Sequence, residues 1–513
     1  MPILGSILKR AYALRNMPFE IKSNSISHKK AQTKQLEKLV RKSQFTAFGE
    51  HYGFSKLLES GNIVEDFKKT VPIHDYKSIY KRWWYRALNG EAYVSWPDKV
   101  KYFALSSGTS EASSKYIPVT SDMLRSIKKT SIRQLVSAVK FDFPESFYEK
   151  GILMIGGSTH LQFNGTYYEG DLSGITAGNI PFWFQHFYKP GRKISKATDW
   201  ATKLDEMVKK APSWDIGVIV GVPAWVQILI EKIIEEHGLG NIHDVWPNLR
   251  VYVHSGVSFK PYVKRFEKLF GKPVMFQESY LASEGYIAYQ NDPESKGMQL
   301  VTDNGLFFEF VPFNDENFDF QGNISKNAET FTVDTVDENV EYALLLSSNA
   351  GAWRYLIGDT IKFIDKQKCE IVITGRTKFF LSVCGEHLSQ ENMNRAIELL
   401  QEDLNIEVNE FTIHAFKHSS LFAHRWYLGT REKIDHETAA KLIDNHLKNL
   451  NDDYRVERME AIKDVEVVVI PEIAFYEYMK EKGKEGSANK FPRVLKNGRV
   501  DEWENFLRAH NYI

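Results

Sequence analysis

Cysteine is almost absent from this chain: 513 residues carry two, Cys369 and Cys384, with no metal-type spacing. A disulfide framework and a cysteine-built zinc site are thereby excluded, and a reducing compartment is the expected setting. An excess of charge of either sign is missing too. Lysine plus arginine and aspartate plus glutamate both number 66, for a net charge of zero. No bulk field therefore draws the chain to nucleic acid or to an acidic membrane. Long apolar runs are also lacking. The uncharged stretch Ile216 to Ile230 is interrupted by Gly217, Gly221, Pro223 and Gln227, and it is too short to span a bilayer. Met1 to Leu14 is apolar but broken by Lys9 and Arg10, and no small-residue cleavage site follows, so a secretory signal is not expected. No internal repeat is found. These absences point to a soluble, cytoplasmic protein with neither membrane nor nucleic acid as partner.

What is present is a globular composition, 43% hydrophobic and 13% aromatic. The chain is longer than one core usually supports, so at least two domains are expected. Through the first two-thirds, apolar strands alternate with amphipathic helices, an α/β pattern. Gly151 to Ile155, Ile216 to Val220 and Leu249 to Val253 read as buried strands, and Pro273 to Phe276 begins a fourth. Helices are predicted from Pro223 to about His237 and from Pro261 to Phe270. After Thr302 the texture changes to polar-alternating strands at Leu306 to Val311, Tyr342 to Leu346 and Ile361 to Ile364. Beyond about Gly375 it becomes α+β, which places a domain boundary near Thr374 to Lys378 and divides the chain into 1–374 and 375–513.

The most informative stretch is Ala104 to Pro118. An apolar strand, Val100 to Leu105, runs into Ser106-Ser107-Gly108-Thr109-Ser110, and Lys115 closes the loop before Thr120, Ser121 and Asp122 open a helix at Met123. Small residues leave backbone N–H groups accessible, hydroxyls donate, and the one fixed charge is positive, as polyphosphate binding requires. The Walker spacing is not present. Four later motifs are ambiguous singly. Tyr280-Leu-Ala-Ser283-Glu284 offers a ring, a hydroxyl and a carboxylate, or merely a capping turn. Tyr355-Leu-Ile-Gly358-Asp359 puts an aspartate at a strand end, where it can grip ribose hydroxyls or form an ordinary turn. Thr374-Gly-Arg-Thr-Lys378 and Asn489-Lys490-Phe-Pro-Arg493 are basic, and the second reads equally as a solvated turn.

The order of these five motifs resembles the acyl-adenylate-forming superfamily. Within it the closest likeness is to acyl acid amido synthetases of the auxin-responsive Gretchen Hagen type. The lead-in Phe45-Thr-Ala-Phe-Gly49, Val71-Pro-Ile-His-Asp-Tyr76 and Gly90-Glu91 matches too, so the resemblance covers nearly the whole chain. It departs at Ala112, where the family carries glycine, at Leu356, with Arg354 displaced to before the tyrosine, and at His387, where plant members carry lysine. The length suggests a compact, bacterial-type relative.

The resemblance implies a large N-terminal adenylate-forming domain with α/β sheets and a β-rich subdomain, and a smaller mobile α+β C-terminal domain. It implies ATP and Mg²⁺, a small-molecule carboxylic acid and an amino acid as reactants, and no assigned oligomeric state beyond a possible monomer. Ser106, Ser107, Gly108, Thr109, Ser110 and Lys115 would hold the β- and γ-phosphates. Glu284 would bind Mg²⁺, Ser283 the α-phosphate and Asp359 the ribose; Tyr280 would stack on adenine, in a pocket lined by Ser255, Gly256 and Val257, with Tyr355 beside the nucleotide. Lys378 would be the hinge, and Lys490 would stabilise charge during adenylation. Acyl-CoA formation and a nucleotide-binding relative without catalysis are the alternatives. Gly174 to His186, with Tyr167 and Tyr168, is either an acyl pocket or aromatic core.

Overall fold

The computed structural model describes residues 27–106, 115–137, 140, 143–181, 184–256, 259–292, 294–314, 316–319, 322–377, 381, 388–418, 421–451, 454–455, 458, 462–484, 490–495 and 499–513. Two compact units emerge, one of Met1–Gly256, Phe270–Phe318 and Ile324–Ile373, the other of Val257–Leu269, Asp319–Asn323 and Thr374–Ile513. The architecture is mixed α/β.

The first unit opens with helix His28–Ser43, whose N-terminus is capped by Ser27 accepting from Lys30 N. A four-stranded sheet has the order β2-β1-β5-β4, from β1 (Tyr102–Ser106), β2 (Lys115–Val119), β4 (Gln162–Phe163) and β5 (Tyr168–Gly170). An eleven-stranded sheet uses β3 (Gly151–Met154), β6 (Tyr188–Lys189), β7 (Ile216–Gly221), β8 (Val251–Ser255), β9 (Met275–Ala282), β10 (Gly285–Tyr289), β11 (Met298–Leu300), β12 (Leu306–Pro312), β13 (Glu341–Ser348), β14 (Tyr355–Asp365) and β15 (Glu370–Arg376). Its order is β12-β13-β14-β15-β11-β10-β9-β8-β7-β3-β6. Pairing from β9 through β6 is parallel, as expected for strands as continuously apolar as Ile216-Gly-Val-Ile-Val220. The antiparallel part starts at β10, ahead of the change of sequence texture after Thr302.

One core, running from Leu36 to Ile371, draws on the four-stranded sheet and on β9 to β15 of the larger one and contains Phe103, Ile117, Tyr280 and Tyr355, while Val218, Val251 and Val253 of the parallel strands belong to a separate cluster. Among the described residues, no helix is long and apolar enough to cross a membrane. Cys369 is buried in this core, and that burial pushes its thiol up to about 12, so it stays protonated. Cys384 lies outside the described residues.

In the second unit, β16 (Glu410–His418), β17 (Leu421–Thr430) and β18 (Ile462–Pro471) form one sheet. Alternation along the strands sends Phe411, Ile413, Trp426 and Leu428 to one core and Tyr427 and Ile470 to another. Helices Gln390–Leu404 and His436–Leu450 supply residues to the first core, and Ile473–Glu481 and Arg499–Ala509 to the second.

Two expectations are corrected here. The Ser/Thr/Gly loop does not lead straight to a helix: β2 intervenes, pairing antiparallel with β1 so that Ser106 lies opposite Lys115. The helix then starts as expected, with Thr120 Oγ1 accepting from Met123 N at 3.1 Å. Nor does Tyr355-to-Asp359 end a strand. It opens the eleven-residue β14, and the register jumps from Thr360↔Ala343 to Leu356↔Leu345. Ile357, Gly358 and Asp359 therefore bulge, with Gly358 at φ +90°, a conformation that favours glycine.

Candidate active site

The bulge re-aims Asp359. In the sheet order three strands lie between β14 and β9, a separation of about 19 Å in a flat sheet. Yet the Tyr280 hydroxyl on β9 donates to Asp359 Oδ2 at 2.5 Å. The antiparallel part must therefore curl until β14 faces β9, which brings the Tyr-x-x-Ser-Glu and Gly-Asp motifs to one place. Ser283 and Glu284 form the two-residue loop between β9 and β10, since Ala282 pairs with Gly285. Glu284 is largely buried and Ser283 half-buried. Parallel pairing sets Ser255, at the end of β8, beside Ser279, so the Ser255-Gly256 turn borders Tyr280. Gly256 has φ +94°, which suits glycine.

A second group surrounds the phosphate-loop candidate. Lys115 Nζ lies 5.5 Å from the centroid of the Tyr76 ring, and the Tyr76 hydroxyl accepts from Tyr116 N at 2.9 Å. Tyr76 stacks on Tyr80 at 5.4 Å and meets Trp84 edge-on at 6.1 Å. Trp84 in turn packs against Tyr355, 5.3 Å between centroids. Tyr355 is 1% exposed; its ring is core, and its contribution is to anchor the strand that carries Asp359.

The segment 71–76 ties these groups together. His74 pairs with Tyr355 as a parallel bridge: His74 N donates to Arg354 O at 2.9 Å and Leu356 N to His74 O at 2.8 Å. The His74 Nδ1–H donates to Trp353 O at 2.9 Å, since a carbonyl can only accept. Arg354 is the hub. Its guanidinium donates to Glu309 through Nε and Nη2 and to Lys68 O and Val71 O through Nη1, both at 2.7 Å. Arg354 is 5% exposed and Glu309 1%. Leu356, by contrast, packs with Val311, Ala343 and Leu345. The displaced arginine thus occupies a built site, and the leucine fills an apolar one. Sequence reasoning gave no role to His74, Tyr76 or Arg354; a histidine and tyrosine inside an otherwise apolar Val-Pro-Ile lead-in were the available signal.

Ser107, Gly108, Thr109, Ser110, Val257 and Lys378, with Ala112 and His387, lie outside the described residues. Of the aromatic cluster, Tyr167 is buried against Phe103 at 4.7 Å and Ile175 belongs to the same core, whereas Tyr168 and Phe184 are half-buried and His186 is exposed; Phe182 and Trp183 lie outside the described residues. Lys490 is exposed, in the second unit. Among the described residues no group of three or more His, Cys, Asp or Glu side chains could hold a metal ion. A single carboxylate such as Glu284 fits Mg²⁺ only in the manner usual for that ion, shared with substrate phosphates and water.

Burial pushes two histidines of this unit down, His74 to about 4 and His254 to about 3. Both are neutral when folded. A depressed folded-state value means that the unfolded chain binds the proton more tightly, so stability is fully present above about pH 6.5 and is lost as pH falls towards 4. Each factor of ten in proton affinity amounts to ~1.4 kcal/mol. The urea midpoint should therefore drop between pH 7 and pH 5, above the range where most carboxylates titrate. An unchanged midpoint across that interval would contradict the burial argument.

Family models match most of the chain: the GH3 family N-terminal domain at residues 20–165 and 158–275, the central domain at 299–376 and the C-terminal domain at 391–499. The probable indole-3-acetic acid-amido synthetase GH3.1 of Arabidopsis thaliana is 25% identical over 257 residues, 46% of this chain. That alignment spans 41% of the relative's own length. The solved GH3.15 acyl acid amido synthetase superimposes with a TM-score of 0.76 at 16% identity, over 98% of this chain and 96% of that one. A 2-hydroxyisobutyryl-CoA ligase in its postadenylation state, with 2-HIB-AMP, gives 0.57 at 13% identity, over 93% and 91%. Both share the fold.

Proposed function

The chain belongs to the GH3 family, and on that premise we propose that it activates a carboxylic acid with ATP as an acyl-AMP and transfers the acyl group to an amino acid amine. The observation that carries this reading is the Tyr280–Asp359 hydrogen bond. It draws together the ring proposed for adenine and the carboxylate proposed for ribose, beside the Ser255-Gly256 turn.

The chain's own residues divide the work by charge. An anionic carboxylate must approach an anionic phosphate, so the repulsion has to be offset by fixed positive charge and donors. Lys115 and Ser106 flank the loop and would hold the outer phosphates, with the residues between them. Ser283 would donate to the α-phosphate, and Asp359 would accept from ribose hydroxyls. Glu284 would hold Mg²⁺, which when bound screens the phosphate charge. Tyr280, with its hydroxyl engaged by Asp359, would stack on the base. The acid and the accepting amino acid are left open by these residues.

Carboxylate-dependent pyrophosphate exchange across a panel of aryl and alkyl acids tests the first step. Mass spectrometry of products formed with amino acids or with coenzyme A tests the second. Coenzyme A thioester without any amide would reject amide formation. Tight ATP binding with no exchange for any acid would favour a relative without catalysis.

Lys490 is proposed to serve the first step alone, delivered by a mobile C-terminal unit. Lys490→Ala should slow acyl-AMP formation by roughly a hundredfold or more. Amide formation from supplied acyl-AMP should stay near the unmodified rate. Equal loss in both steps would make the lysine a general binding residue.

A further inference from the structure

The segment bearing Lys490 is anchored by a buried ion pair. Residues 491–495 meet β16 through one parallel bridge, Val494 to Ile413: Ile413 N donates to Arg493 O at 2.9 Å and Leu495 N to Ile413 O at 2.8 Å. Thr412 Oγ1 donates to Pro492 O at 2.8 Å. Phe491 and Leu495 enter the core on one face of the sheet, and Val494 enters the core on the other.

Arg493 is 8% exposed. Its Nη1 donates to Glu410 Oε2 at 2.6 Å and to Phe411 O at 2.9 Å, and its guanidinium lies 4.5 Å over the Phe411 ring. Glu410 accepts a second bond, at 2.7 Å, from the Tyr262 hydroxyl. Burial, with the Glu410 charge beside it, pushes that hydroxyl well up, so it remains a donor.

A turn that merely displays basic side chains to water needs none of this. A buried arginine–glutamate pair returns little net stability, because desolvation offsets its attraction, but it can fix register. Register matters here. A slip of one residue would exchange the faces of 491–495 and carry Lys490 along by about 3.3 Å. On the proposed role of Lys490, a displacement of even 1 Å can cost a catalytic group roughly a hundredfold.

We propose that Arg493, clamped by Glu410 and Tyr262, is a positioning residue that sets the place of the Lys490 ammonium in adenylation. This rests on the function proposed above. The test uses Arg493→Lys and Glu410→Gln in the full chain. Each should lower the adenylation kcat by roughly tenfold. The KM for ATP and the rate of amide formation from supplied acyl-AMP should stay within about twofold. Arg493→Lys added to Lys490→Ala should cost nothing further, since it acts through the lysine. Equal loss in both half-reactions, or an additive loss in the double variant, overturns the proposal.

Hydrogen exchange reads the anchor independently. The amides of Ile413 and Leu495 should exchange roughly tenfold faster in Arg493→Lys, and unchanged exchange also overturns the proposal. If accelerated exchange accompanies a Lys490→Ala chain that adenylates normally, the role of Lys490 fails and the anchor stands. Should Arg493→Lys not fold, Thr412→Val removes only that hydroxyl's bonds, to Pro492 O at 2.8 Å and Arg493 O at 3.4 Å, and carries the same measurements.

Discussion

Asp359→Ala is expected to abolish both half-reactions rather than one. On the proposed function the ribose stays bound while acyl-AMP forms and while the amine displaces AMP, so losing the carboxylate proposed to accept from it should be felt in each. Hydrogen bonds to a charged acceptor contribute ~1.5–3 kcal/mol apiece, and two ribose hydroxyls bring the expected loss in nucleotide affinity to roughly a hundredfold or more. Removing the carboxylate also strips the Tyr280 hydroxyl of the partner it holds at 2.5 Å. Tyr280→Phe separates the two effects, since it deletes the hydroxyl while keeping the ring and the carboxylate. Calorimetry with ATP should show a small loss for Tyr280→Phe and a large one for Asp359→Ala. Equal losses would mean that Asp359 serves only to hold the tyrosine, and the ribose would then need another partner.

The second large effect belongs to Arg354. Replacing it with methionine keeps much of the volume but leaves the Glu309 carboxylate, 1% exposed, without its cation. Breaking a buried pair from one side costs ~3–5 kcal/mol, because an uncompensated charge stays behind. The carbonyls of Lys68 and Val71 lose their donor as well, which loosens the segment that brings His74 to Tyr355. Urea unfolding of Arg354→Met should register that loss of stability, and Arg354→Met with Glu309→Leu should recover a good part of it. A change below ~1 kcal/mol in the single variant would show the pair to be dispensable.

Much of the fold could be read along the chain. The helix Pro223–Glu236 and the strand β7 fall where apolar periodicity and Pro223 place them. Each of those signals is local, set by neighbours within a few residues. The same locality explains the misses. β2 is short, lies beyond a loop rich in Ser and Gly, and becomes a strand only because β1 pairs with it. The bulge at Gly358 is indistinguishable in sequence from an ordinary Gly-Asp turn, because a bulge exists only relative to the strand opposite.

The candidate site divides in the same way. The sequence by itself determined which residue types stand in which order: a hydroxyl-rich loop closed by Lys115, then Tyr280 to Glu284, then Gly358-Asp359, then Lys490. It could not determine that Tyr280 meets Asp359, since that contact depends on the curl of a sheet in which three other strands lie between them. Nor could it give Arg354 and Arg493 their work. Arg493 reads as part of a solvated turn and Arg354 only as a displaced residue until the fold buries each against a glutamate distant in sequence, Glu410 and Glu309. Periodicity and capping act within a turn or two of chain, whereas burial and ion pairing are properties of distance in space, and only the tertiary structure decides those.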